Sequence, residues 1–170
     1  MTSTHTIGNF IYDQSLRYVG RRMRFVCDDG GRAAAGLKGN AGDCVARAVA
    51  IASGRPYAEV YARLAQGNAT QRKTKRVRRG KGEGMHSADH GICTRRKWFD
   101  DYMTSLGAVW VPTMKIGSGC KVHLRENELP KGRLVVNVTR HMCAVIDGVI
   151  HDTHNPDRNG TRCVYGYYRF

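Results

Sequence analysis

No stretch of this chain approaches the eighteen or so apolar residues that a membrane-spanning helix needs. Acidic side chains are also scarce, 14 Asp and Glu against 28 Lys and Arg, for a formal charge of +14. The first absence makes a soluble protein with no membrane partner the expectation. The second calls for something acidic as partner or substrate, a protein or peptide, or nucleic acid. The opening Met-Thr-Ser-Thr-His-Thr-Ile-Gly lacks the basic-then-apolar pattern of a secretion leader. Cys27, Cys44, Cys93, Cys120, Cys143 and Cys163 are therefore expected as reduced thiols in the cytoplasm rather than as a disulfide framework.

At 170 residues the chain fits one domain with a sizeable core. Its organising stretch is Gly39 to Gly54, where a Gly- and Asn-containing loop leads through Asp43 into Cys44. Asp43 has the chemistry of an N-cap, and Val45, Ala48, Val49 and Ala52 recur at the spacing of a buried helical stripe that Gly54 ends. Cys44 thus falls at the first helical position. The positive end of the helix dipole there favours thiolate over thiol, which is what a nucleophile needs. A small buried residue at a helix start would satisfy the same pattern without chemistry.

Residues 1 to 20 read as an arm with Phe10, Ile11, Tyr12 and Leu16 as anchors. Met23 to Cys27 alternates weakly, and Asp28-Asp29-Gly30-Gly31 predicts a hairpin. Pro56 opens a second helix with Tyr57, Val60, Tyr61 and Leu64 on one face. From about 66 to 91 a basic, flexible insertion outside the core is expected. Its run Arg72, Lys73, Lys75, Arg76, Arg78, Arg79 and Lys81 reads as a solvated loop or as a contact with nucleic acid or an acidic partner. No aromatic interleaves it, which excludes a stacking platform for single strands. Thr94 is placed as the cap of a third helix running to Leu106, with Trp98, Phe99, Tyr102, Met103 and Leu106 inward. After a strand at 108 to 112 the remainder reads as β, with strands at 133–139, 141–146, 149–153 and 163–170. Helices first and an antiparallel sheet after make the fold class α+β.

The Asp147-Gly148 turn sets a register. With a two-residue loop, Ile146 faces Val149, Cys143 faces Asp152 and His141 faces His154. His141, Cys143, Asp152 and His154 then share one face of the hairpin, with His141 and Asp152 as diagonal neighbours. A carboxylate beside an imidazole is the arrangement that orients a general base. Asn155, the other candidate orienter, points to the opposite face. Zinc-ligand residue types also occur at His86, His90 and Cys93, at Cys120 and His123, and on the His141 hairpin face. None has a standard finger spacing, so no metal and no other cofactor is expected.

Cysteine at the head of a buried helix, then Arg-His-Met-Cys-Ala-Val-Ile-Asp-Gly and Ile-His-Asp-Thr, resemble papain-like cysteine peptidases, above all the small peptidase domain of bacteriocin-processing transporters. The chain is also similar in style to short proteins encoded by bacteriophages. The peptidase resemblance covers about residues 38 to 64 and 133 to 153. It implies a papain-like domain with Cys44 as nucleophile, His141 as base and Asp152 as orienter, acting as a cysteine-dependent hydrolase or acyl-transferase. Where that family has an oxyanion glutamine this chain has Lys38, leaving Asn40 and the Cys44 N–H as donors. The alternative is an inactive papain-like binding protein that contacts an acidic protein or nucleic acid through its basic surface.

Overall fold

The computed structural model describes residues 21–39, 41–70, 87–89 and 91–170. The N-terminal arm, Asn40, the basic run from Arg72 to Lys81, His86 and His90 lie outside the described residues. Among the described residues the chain is α+β, with three helices and one mixed sheet of six strands. In chain order these are β1 (Arg24–Cys27), α1 (Cys44–Ser53), α2 (Tyr57–Thr70), α3 (Lys97–Ser105), β2 (Val109–Pro112), β3 (Arg133–Val138), β4 (His141–Ile146), β5 (Val149–Asp152) and β6 (Val164–Arg169). The sheet order is β1-β5-β4-β3-β6-β2.

The sheet is mixed because of β1. The predicted hairpin after Cys27 does not form, and β1 instead pairs in parallel with β5, Cys27 opposite Asp152. The reason is local. Asp28 and Asp29 turn their carboxylates onto the N–H groups of Gly30, Gly31 and Ala33, so the chain coils through 30–36 where a return strand was expected. The β4–β5 hairpin has the register that its turn dictates, Ile146 opposite Val149. Asp147 and Gly148 both have positive φ, 48° and 83°, the requirement of a type I′ turn.

Two cores sandwich the sheet. On one face Val45, Ala46, Val49 and Ala52 of α1 pack with Val60, Leu64, Phe99 and Met103 against Val135, Met142 and Ala144. On the other, Leu134, Val136, Cys143, Val145 and Ile150 are covered by Met23, Leu124 and the half-buried Val122 and Leu129. Successive strand residues therefore divide between the cores, as the pleat requires. Small side chains along α1 let it lie close over β4, which brings the head of the helix to the start of that strand.

Three boundaries differ from expectation. Residues 66–70 belong to α2, whose Ala65, Gly67 and Asn68 are buried. The far end of the expected insertion is tied down as well: Ala88 is fully buried, and Asn68 Nδ2 donates to the carbonyls of Ser87 and Gly91. Thr94 does not cap α3, because a turn from Cys93 to Arg96 intervenes and Arg96 takes that position.

Candidate active site

Cys44 begins α1, and its thiol lies half-buried against the helix-side core. His141 begins β4. Along β4, Met142 and Ala144 face α1, whereas Cys143 and Val145 face the opposite core, so alternation assigns His141 and Asp152 to the face away from the helix. Cys44 and His141 meet because each is the terminal residue of its element. His141 Nε2 is paired to Asp152 Oδ2, and the ring lies close enough to the Cys44 thiol for each to shift the other's titration. Asp152 is held in turn by Thr153, whose N–H donates to Oδ1 at 2.7 Å.

The site is dry enough for these pairings to matter, since the side chains of His141 and Asp152 are 12% and 3% exposed. Burial opposes the thiolate of Cys44. It is outweighed by the hydrogen bond and charge of His141, the Met142 N–H and the charge of Arg47, and the thiol ionises below its ordinary range. Burial likewise opposes the imidazolium of His141, and the hydrogen bonds to Asp152 and Cys44, with their charges, lift it to about 9. The two shifts run in the directions that favour thiolate and imidazolium together. Cys143 behaves oppositely. Fully buried under the site, it has its thiol pushed up by burial and by the charges of Asp152 and Cys44, and stays protonated.

Asp43 stands at the N-cap position of α1, and its backbone carbonyl accepts from the Arg47 N–H, but its carboxylate does not cap the helix. Its side chain makes no capping hydrogen bond and is instead buried among Arg32 Nε (2.9 Å), Arg47 Nη1 (2.8 Å) and the Tyr57 hydroxyl, which donates to Oδ2. Arg32 also donates to the carbonyls of Leu37, Lys38 and Gly39. One guanidinium thus holds the loop that leads into Cys44. A second tether comes from the Gly42 N–H, which donates to the Asp89 carbonyl at 2.6 Å, where a Cβ would approach that oxygen to 2.8 Å. The sequence reading missed this network. Its visible signal is Arg47, a charge four residues after Asp43 in an otherwise apolar helix.

At the head of α1 the first backbone N–H groups have no acceptor in a preceding turn, and the Cys44 N–H is among them. Asn155 does not orient His141, since its Oδ1 accepts from the Asp157 N–H. His154 is exposed, with its ring centroid 4.9 Å from that of His141. His141, Asp152 and His154 place ligand atoms within 4.8 Å of one another. They could hold a transition-metal ion, but through the Asp152 oxygen that orients His141, so an ion and an oriented base are alternatives at one atom. Cys120 and His123 are not a ligand pair, because Cys120 is bonded to Cys163 and His123 pairs with Glu128. That disulfide corrects the expectation of six reduced thiols. The bridge between His123 and Cys163 brings the Cys120 and Cys163 Cα atoms to 5.8 Å, within disulfide reach. Cys27, Cys44, Cys93 and Cys143 are free.

Cys44 and His141 open onto a cleft of about 1270 Å³ whose walls include Trp110, Arg140, Tyr165 and Tyr168. Comparison of the chain with protein-family models, curated proteins and solved structures finds no match. No helix among the described residues is long and apolar enough to cross a membrane.

Proposed function

We propose that the protein is a cysteine-dependent hydrolase or acyl-transferase of papain-like type, with Cys44 as nucleophile, His141 as base and acid, and Asp152 as orienter. The observation that carries this reading is the continuous relay from a thiol at a helix head, through one imidazole, to a buried carboxylate. His141 takes the Cys44 proton, and the thiolate attacks the carbonyl carbon of an amide, ester or isopeptide. A C–S bond forms, and the negative charge on oxygen is met by the Cys44 N–H at the helix head. The bond to the leaving group then breaks as the imidazolium returns its proton to the departing nitrogen or oxygen. Water, deprotonated by the now neutral His141, or an incoming amine resolves the thioester and regenerates the thiol.

The test is the pH dependence of Cys44 alkylation by iodoacetamide, read by mass spectrometry in the wild type, His141→Ala and Asp152→Asn. Alkylation of the wild type is expected to persist well below the ordinary cysteine pKa of about 8.5. Both substitutions should move its midpoint upward, because each weakens the cation that stabilises the thiolate. The alkaline side separates binding of a proton from its use. Alkylation needs only the thiolate and continues above pH 9, whereas turnover declines as pH rises through about 9, where His141 loses the proton owed to the leaving group. Ordinary titration of Cys44, unmoved by His141→Ala, would overturn the enzyme in favour of an inactive papain-like protein that binds an acidic protein or nucleic acid.

A further inference from the structure

The cleft beside Cys44 is unevenly charged. Arg47, Arg95, Arg96, Lys97 and Arg140 line it, against two carboxylates, Asp89 and Asp100. Asp89 Oδ2 accepts from the hydroxyls of Tyr61 and Ser87, its buried Oδ1 having no hydrogen-bond partner, and Asp100 accepts from the hydroxyl of Tyr168. Two of the cations are compensated, Arg47 by Asp43 and Lys97 by Asp101. Arg95 and Arg140 are exposed and make no ion pair with another described residue. Arg140 directly precedes the base, held at φ 55° in the turn that opens β4. Arg95 lies just before α3, whose nine-residue helix turns its N-terminal end into the same cleft and adds the positive end of its dipole. The same cleft also has aromatic walls, Trp110, Tyr165 and Tyr168.

Resting on the cysteine-nucleophile reading above, we infer that the substrate is an acidic polypeptide segment whose carboxylates flank the attacked carbonyl and are taken by Arg95 and Arg140. The aromatic walls suit the apolar stems and backbone between such carboxylates. The thiolate supplies the argument for polypeptide over nucleic acid, since an acyl carbon is the electrophile that this chemistry uses.

The two failures can be told apart with a pair of alkylating reagents. Iodoacetate and iodoacetamide both form a C–S bond to the thiolate and release iodide, and they differ in charge. The ratio of their rates at Cys44 should exceed the ratio at the exposed Cys27. It should fall about threefold in Arg95→Gln/Arg140→Gln, and again on raising salt from about 0.05 to about 0.5 M, while the iodoacetamide rate changes little. A poly-glutamate peptide should slow alkylation of Cys44 in the wild type and not in the double variant. Fast iodoacetamide labelling of Cys44 with a ratio unmoved by the double substitution would overturn the acidic substrate and leave the nucleophile standing. Iodoacetamide labelling no faster at Cys44 than at Cys27 would overturn both readings. Protection of Cys44 by an oligonucleotide but not by poly-glutamate would overturn the polypeptide in favour of nucleic acid.

Discussion

Asp43 precedes α1 and is the acidic centre of a buried ion cluster with Arg32 and Arg47. Its position before the helix invites a capping role, yet it is 1% exposed and lies between two arginines that are each 9% exposed. Three charges this deep are tolerated only as a paired set, because removing one partner strands the others away from water. Asp43→Asn keeps the shape and leaves Arg32 and Arg47 uncompensated. It is expected to cost about 3 kcal/mol of stability in urea unfolding, far more than the roughly 1 kcal/mol typical of a lost cap. A loss near the smaller figure would return Asp43 to capping. Register arithmetic on the β4–β5 hairpin was more secure, because a positive-φ turn of two residues leaves one pairing. It puts His141 beside Asp152 from the turn alone, and the two side chains pair. It could not place Cys44 beside them, since the helix covers the opposite face of the sheet.

Among the elements, α1 was the most legible, with its stripe of small apolar residues closed by a glycine that adopts φ 71°. What that pattern does not state is how close the neighbours come, and α2 carries the tightest case. A Cβ at Gly67 would stand 2.2 Å from the Trp98 ring, so α2 and the start of α3 touch through a glycine that is otherwise unfavourable inside a helix. By helix propensity alone Gly67→Ala stabilises by about 1 kcal/mol. Overpacking against a ring that the glycine accommodates costs about 1–3 kcal/mol. We expect net destabilisation, read as a lowered thermal midpoint, and a raised midpoint would show that Trp98 moves aside freely. The edge strand β1 was legible as a strand but not in its pairing, because the two aspartates that suggested a hairpin were committed to their own local turn.

For the molecule as a whole, the second core is what the chain's patterning hid. Val122, Leu124 and Leu129 follow no helical or strand period, yet with Met23 they cover the sheet face away from the helices. The Cys120–Cys163 bond fastens that irregular cover to the start of β6 across a sequence separation of 43. Closing a loop of that length stabilises by about 4 kcal/mol in the chain-entropy account. Cys120→Ser/Cys163→Ser should therefore unfold at markedly lower urea while Cys44 alkylation of the folded protein is unchanged, because the bond lies on the second core and not at the cleft. In denaturant without reductant a thiol assay should count four thiols, and a count of six would refute the bond.

The sequence by itself determined the α+β class, the head of α1 at Cys44 and the pairing of His141 with Asp152. These are local properties, set by helical spacing, glycine stops and a two-residue turn. Only the tertiary structure decided that β1 joins the sheet in parallel, that Asp43 is the hub of a buried ion cluster and that an unpatterned loop closes the second core. It also decided that a thiol from one face comes beside an imidazole from the other. Each of those depends on which surfaces remain to be buried once the local elements have formed, and that is a property of the assembled chain rather than of any stretch of it.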